Sequence, residues 1–337
     1  MIVDGRYEVI RELGRGSYGQ VLEVRDHTMA TRCALKLLSD DVLVGPWTES
    51  HLLRGLRGEY ILPILNADVV AGRRYIVTEV MMGGTVDDHI QAAIGMPIDR
   101  AVRWAREACQ GIARVHDYDL VHGDIKPGNL FLDAREEVLV GDFGLAQQVD
   151  DQGFAQAVGT PATMAPEVAA SFKGKSSTPL TYTRLSDVYS LGATAYWMIA
   201  GQPPSVGTTD LVSGTRPDLW TVAPHAPRGL RDAINRAIAL DPKQRQASAS
   251  QLAAELGLHR SPDRTWNRTV PHSGHEQCYS GAKGESVIEV CVHPESTSRV
   301  RITGQHASSA RRVRKAERTS SRRNLATALR SAFRACN

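Results

Sequence analysis

Eighteen residues after Asp124, in the run His122-Gly-Asp124-Ile-Lys126-Pro-Gly-Asn129, stands Asp142-Phe-Gly144. Asp124, Asn129 and Asp142 make up a set of two carboxylates and an amide. They supply oxygen ligands for a hard divalent cation on phosphates and one carboxylate that can orient a hydroxyl. Upstream, Gly14-Arg-Gly16-Ser-Tyr-Gly19-Gln-Val21 lies between two expected strands. Glycines there let backbone N–H groups approach phosphate oxygens without interference from Cβ. Taken alone, this run reads equally as a ligand-free glycine-rich hairpin. The dinucleotide version would need a helix directly after the glycines, and a strand follows instead. Lys36 ends the apolar strand Cys33-Ala-Leu-Lys36, where a cation needs a partner unless it is an ordinary edge lysine. Glu49 on the next helix is the best-placed partner, with Asp40 and Asp41 in the connecting loop.

The hydrophobic pattern divides the chain. Short alternating runs over 7–24, 33–38 and 75–80 predict an antiparallel sheet, interrupted by one helix from Pro46 through Leu56. After Met82-Gly83-Gly84 the pattern becomes helical, over 99–116, 187–199, 228–240 and 249–256. A small β-rich part therefore precedes a larger α-rich one. Residues 258–285, polar and rich in Gly, Ser, His and Pro, read as a linker. Beyond them, 287–292 and 299–303 read as a strand pair. Leu325, Ala328, Leu329, Ala332 and Phe333 share a helical face, so 286–337 is expected to be a small ββα appendage or a partly disordered tail.

In this order, glycine loop, strand lysine, helix glutamate, catalytic loop and Asp-Phe-Gly, the chain resembles the eukaryotic-type serine/threonine protein kinase family. The likeness continues through Gly159-Thr160-Pro161, Ala165-Pro166-Glu167 and Asp187-Val-Tyr-Ser-Leu-Gly192 to Asp241-Pro-Lys-Gln-Arg245, covering residues 7–257. It implies an α+β, two-lobed kinase fold with an N-lobe over 7–81 and a C-lobe over 82–257. It also implies ATP and Mg²⁺ as cofactors, and γ-phosphoryl transfer to Ser/Thr hydroxyls of protein substrates; Ser308, Ser309, Thr319, Ser320 and Ser321, beside basic residues, make the chain itself a candidate substrate.

Carried over by position, Gly14, Gly16 and Gly19 would cover the ATP phosphates. Lys36 would contact them while held by Glu49. Val21, Ala34 and Phe131 would enclose the adenine, with Thr78 guarding the back pocket and Glu79 and Met81 forming the hinge. Asn129 and Asp142 would hold the metal, Asp124 would accept the hydroxyl proton, and Lys126 would stabilise the transferring phosphoryl group. Lys126 and Thr160 place the resemblance in the serine/threonine subgroup. Glu167 with Arg245, and Asp187 beneath the catalytic loop, would keep the fold.

Three departures stand out. Gly123 occupies the position where many members carry the Arg that pairs with an activation-loop phosphate, so 145–163 is expected to be ordered without that switch or controlled from elsewhere. Thr163 replaces the usual tyrosine before Met164. The interval from Lys36 to Glu49 is short. The alternative reading is a pseudokinase scaffold that binds nucleotide or partners, which loss of Lys36, Asp124, Asn129 or Asp142 would favour; all four are present.

The net charge of +3 conceals an asymmetry. From Arg299 onward eleven Lys and Arg face the single acid Glu317, so this end carries +10 and the remainder −7. Such an end suits docking on the acidic remainder of the chain, an anionic membrane face or nucleic acid. Phe333 is its sole aromatic residue, which leaves base stacking little to work with. His272-x-x-His275-x-x-Cys278, with Cys291-x-His293 downstream, has enough ligands for Zn²⁺, but the spacing matches no common zinc module and reads as scattered residues in a polar linker. Five cysteines without a CxxC pair argue against a disulfide framework. With no secretory-type N-terminus and no transmembrane run, a cytoplasmic protein is expected. The compact Ala- and Arg-rich composition points to a bacterial source.

Overall fold

The structure, a computed structural model, describes residues 1–16, 19–39, 55–150, 155–156, 159–172, 181–205, 208–258 and 264–337. Its first part is a sheet of β1 (Ile2–Val3), β2 (Tyr7–Gly16), β3 (Gly19–Asp26), β4 (Thr31–Leu38), β5 (Ile64–Val70) and β6 (Arg73–Glu79), in the order β1-β2-β3-β4-β6-β5. Side chains alternate across a strand, so β4 sends Cys33, Leu35 and Leu37 into the core and turns Ala34 and Lys36 the other way. Tyr7, Leu22, Val24, Tyr75 and Val77 complete that core. Register then fixes the opposite face: Lys36 lies across from Val21 and Ile76, and Ala34 across from Thr78. Gly19 is required where β3 meets β4, since its φ is 146° and a Cβ would sit 2.1 Å from the Leu37 carbonyl oxygen. The expected helix from Pro46 through Leu56 lies outside the described residues up to position 54, Glu49 included.

The second part is built on α1 (Ile98–Asp117), whose buried stripe includes Ala101, Trp104, Ala108 and Ile112. Trp104 is fully buried, and its indole N–H donates to the Glu136 carbonyl at 2.9 Å. Between α1 and the later helices run β7 (Leu120–Val121), β8 (Leu130–Leu132), β9 (Val138–Val140) and β10 (Gln147–Gln148). β7 pairs with β10 and β8 with β9, so the two motif segments are folded side by side. Ala155–Gln156 (β11) then pairs with Thr181–Tyr182 (β12). The helices that follow are α2 (Pro166–Phe172), α3 (Arg184–Ala200), α4 (Thr208–Ser213), α5 (Leu219–Val222), α6 (Arg228–Ala237) and α7 (Ala249–Gly257). α3 is buried almost all round, as its apolar composition requires, and ends at Gly201 with φ 71°. Arg245 forks onto Glu167 at 2.7 and 2.8 Å and tethers α2 to the loop after α6.

Beyond α7 the fold departs from expectation. Residues read as linker contain β13 (Thr265–Thr269) and β14 (Gln277–Lys283), which join β15 (Ser286–Pro294), β16 (Arg299–His306) and β17 (Arg318–Ser321) in one antiparallel sheet. The helix α8 (Leu325–Ala335), which carries the expected apolar face, packs on it. Trp266, Tyr279, Val290, Val292, Ile302, Leu329 and Phe333 form its core, with Phe333 stacked 4.6 Å from Trp266. The appendage is thus a five-stranded sheet with a helix, where a ββα unit or a loose tail was expected. β13 and β14 carry Asn267, Arg268, Ser280 and Gly281 among their apolar residues, and only pairing with β15 reveals them as strands. The buried Arg264 ties the unit together by donating to the carbonyls of Gly281, Ser286 and Cys336.

This unit touches the helical lobe. Asn267 Oδ1 accepts from the Ile98 N–H at 2.9 Å, satisfying an orphan donor in the first turn of α1. The Trp220 ring lies between the guanidinium groups of Arg231, at 4.2 Å, and Arg330, at 3.0 Å. His225 packs 5.5 Å from Tyr279. Among the described residues no helix is long and apolar enough to cross a membrane.

Candidate active site

A cavity of about 860 Å³ lies between the sheet and the helical lobe. Gly14, Gly16, Gly19, Val21, Ala34 and Lys36 line it from above, Thr78, Glu79 and Met81 from the strand that joins the lobes, and Lys126, Asn129, Phe131, Asp142 and Thr160 from below. The β8–β9 hairpin explains the lower wall: Asn129 precedes β8, Phe131 lies within it, and Asp142 follows β9 by two residues. Leu13, Leu62, Thr85, Phe143 and Pro161 also line the cavity and were not anticipated. Ile76 was legible in principle, as the residue opposite Lys36, whereas Leu62 belongs to no motif and arrives only because its N–H donates to the Val140 carbonyl at 2.8 Å.

Polar contacts organise the floor. Lys126 Nζ donates to Asp124 Oδ2 at 2.7 Å and to Thr160 Oγ1 at 2.8 Å, and the Thr160 hydroxyl donates to Asp124 Oδ1 at 2.5 Å. Asn129 Nδ2 donates to the Asp124 carbonyl at 2.7 Å and to its Oδ2 at 3.1 Å. Lys36 Nζ meets Asp142 Oδ1 at 2.5 Å, joining sheet and helical lobe across the cavity. Glu49, the anticipated partner of Lys36, lies outside the described residues. Burial opposes the charge on Asp142, but the Lys36 ammonium overrides it and holds the carboxyl below the usual carboxylate range.

Asp187 anchors the loop from beneath. Its fully buried carboxylate accepts from His116 Nε2 at 2.8 Å and from the backbone N–H groups of His122 at 2.9 Å and Gly123 at 3.2 Å. Burial opposes this charge too, and the His116 hydrogen bond leads the contacts that keep its pKa low. His122 Nε2 contacts the Gly141 carbonyl at 2.9 Å, linking the loop to the segment that carries Asp142. Gly123 has φ 80°, and Gly159, at φ 125°, approaches it so closely that a Cβ would fall 2.4 Å from the Gly123 carbonyl oxygen. Residues 159–163, at the end of the expected activation segment, are thereby packed onto the catalytic loop with no arginine at position 123.

The oxygen donors suit a hard cation. With its amide nitrogen turned to Asp124, Asn129 keeps the amide oxygen for another role, and Asp142 adds a carboxylate. A glycine hairpin over a cleft, a lysine bridged to an aspartate and an aspartate hydrogen-bonded to a lysine together describe a phosphoryl-transfer fold. The protein kinase domain family matches residues 7–256, and the chain belongs to that family. Similar proteins include the serine/threonine-protein kinases PknB of Mycobacterium tuberculosis, 30% identical over 275 residues, and of Mycobacterium leprae, 29% identical over 274. Each of these alignments covers 74% of this chain and 42% of the relative. The serine/threonine-protein kinase ATG1c of Arabidopsis thaliana is 28% identical over 218 residues, which is 62% of this chain and 29% of that protein. The chain thus spans less than half the length of these relatives.

Proposed function

We propose that this protein is a serine/threonine protein kinase that transfers the γ-phosphoryl group of ATP to hydroxyls on protein substrates, itself included. The observation that carries the reading is the Asp124–Lys126–Thr160 cluster, in which a short side-chain hydroxyl already donates to Asp124 Oδ1. A substrate Ser or Thr hydroxyl presented to that carboxylate would be oriented by it and lose its proton to it. Lys126, 2.7 Å from Asp124, would stabilise charge on the transferring group. Lys36 would bind the inner phosphates, Gly14, Gly16 and Gly19 would cover them, and Val21, Ala34 and Phe131 would hold the adenine beside Thr78, Glu79 and Met81. Asn129 and Asp142 would hold Mg²⁺, which when bound neutralises phosphate charge. Lys36 and Asp142 meet across the cleft and Asp124 and Asn129 meet on its floor, so nothing favours the scaffold alternative.

Five free, buried thiols fit a reducing, cytoplasmic setting. The basic end gives little support to a nucleic-acid or membrane role, because several of its cations are engaged within the protein. Arg322 pairs with Glu276, Arg318 donates to the carbonyls of Lys315 and Ala316, and Arg330 covers Trp220. The contact of Arg330 with Trp220, which reaches the helical lobe, favours intramolecular docking.

The test is transfer from labelled ATP with Mg²⁺ to the protein itself and to a generic protein substrate, comparing wild type with Asp124→Asn. The variant should lose roughly 10²–10⁴-fold in kcat with the KM for ATP little changed. Absent incorporation in both proteins, with ATP still bound, would overturn the reading in favour of a nucleotide-binding scaffold.

A further inference from the structure

Outside the cleft, one cluster in the C-terminal sheet concentrates metal-ligating chemistry. His272 and His275 lie in the loop between β13 and β14, Cys278 lies on β14 and Cys291 on β15. Antiparallel register sets Cys278 directly opposite Cys291, and the preceding loop folds both imidazoles over the pair. One ligand atom from each of the four residues lies within 4.8 Å of the other three. Cys278 Sγ is 3.3 Å from His275 Nδ1 and 3.6 Å from His272 Nδ1, and Cys291 Sγ is 3.6 Å from the same His272 nitrogen.

We propose that His272, His275, Cys278 and Cys291 form a structural Zn²⁺ site that staples the β13–β14 loop to the sheet. A tetrahedral centre with Zn–S near 2.3 Å and Zn–N near 2.0–2.1 Å requires sulfur-to-nitrogen edges of about 3.6 Å; both edges to His272 Nδ1 have that length, and the His275–Cys278 edge is 3.3 Å. Two neutral imidazoles and two thiolates make an uncharged centre with Zn²⁺, which suits sulfurs as buried as these, and binding exchanges two thiol protons for the cation. The shell around the donors is consistent. The His272 backbone N–H points at Cys278 Sγ at 3.5 Å, a contact that favours thiolate. His293, a fifth candidate from the sequence, is not among the four: it lies beside Thr303 Oγ1 at 2.8 Å and packs edge-to-face against His275, with ring centroids 4.1 Å apart. The spacing His-x2-His-x2-Cys-x12-Cys matches no common module because the fourth ligand is delivered by strand pairing and not by a local loop.

The experiment uses the full chain, purified with reductant and without chelator. Elemental analysis should give one zinc per chain. Replacement by Co²⁺ should give the visible absorption of a tetrahedral site together with a thiolate charge-transfer band. Cys291→Ser and His275→Ala should each lose that band, and chelation of the wild type should lower its Tm, which guards against variants that simply misfold. A wild-type protein that is folded by circular dichroism yet takes up no Zn²⁺ or Co²⁺ under reducing conditions would overturn the proposal. So would a mass two hydrogens lighter showing a Cys278–Cys291 disulfide in the protein as isolated under reductant, or iron in place of zinc. All these readouts are independent of phosphate transfer, so failure here leaves the kinase reading untouched.

Discussion

Asp187 shows what one buried carboxylate does for a catalytic loop. It has no exposure, yet it accepts from one imidazole and two backbone N–H groups, so its charge is compensated by donors fixed in place. Asp187→Asn leaves an amide facing those donors and should cost about 2–3 kcal/mol in urea unfolding, with kcat falling as the loop loses its anchor. The pH dependence has a definite sign. Asp142 and Asp187 both have folded-state pKa values below the ordinary carboxylate range. Their contribution is therefore complete above the unfolded pKa near 3.9 and is lost as the pH falls below it toward the folded values. Neither should make stability vary between pH 5 and 8.

At the scale of elements, α2 and the loop after α6 are far apart in sequence and joined by one ion pair. The Arg245 side chain is completely buried and also donates to the carbonyls of Leu185, Ala239 and Leu240, while the Glu167 side chain keeps 28% of its exposure. Removing the acid strands a buried cation, so Glu167→Gln should destabilise the protein by about 3 kcal/mol. Arg245→Met, which removes the cation and leaves Glu167 able to reach water, should cost less. Comparing the two in denaturant tests the argument, and equal losses would contradict it.

For the molecule as a whole, the question is how the C-terminal sheet sits on the helical lobe. His225 is buried against Tyr279 and near Arg268, and burial first, then that guanidinium, lowers its pKa to about 3. A histidine held neutral in the folded state contributes fully above its unfolded pKa of about 6.5, and that contribution falls as the pH drops from there toward 3. At pH 5 the loss should be about 2 kcal/mol, read as a lower Tm than at pH 7 and absent in His225→Phe. None of the described residues that line the cavity belongs to 264–337, so the appendage makes no direct contribution to its wall. Truncation after Leu258 should therefore leave the KM for ATP unchanged while exposing Trp220 and lowering Tm. A marked gain in activity would instead reveal autoinhibition.

The cluster on the cavity floor was legible because its residues are local: Asp124, Lys126 and Asn129 sit within one short run, and Asp142-Phe-Gly144 is a compact signature. Helix α1 was legible for a related reason, since its burial repeats with the period of the backbone, whereas α3, buried almost all round, was legible from its apolar run. Contacts that join distant segments were hidden wherever no motif announced them. Nothing in the sequence around Leu62 marks it as a wall of the cavity, and nothing near Asn267 marks it as a partner for the first turn of α1. The strands β13 and β14 read as linker because their polar and glycine residues mask the alternation, and half-buried strands become visible only when a partner covers one face. The same reason separates the two cysteines: Cys278 and Cys291 stand thirteen residues apart along the chain, and only the register of β14 against β15 sets them face to face beneath two histidines. Side-chain chemistry and short-range periodicity belong to the sequence by itself, whereas strand register and lobe packing arise from which surfaces exclude water together, and that was decided by the tertiary structure.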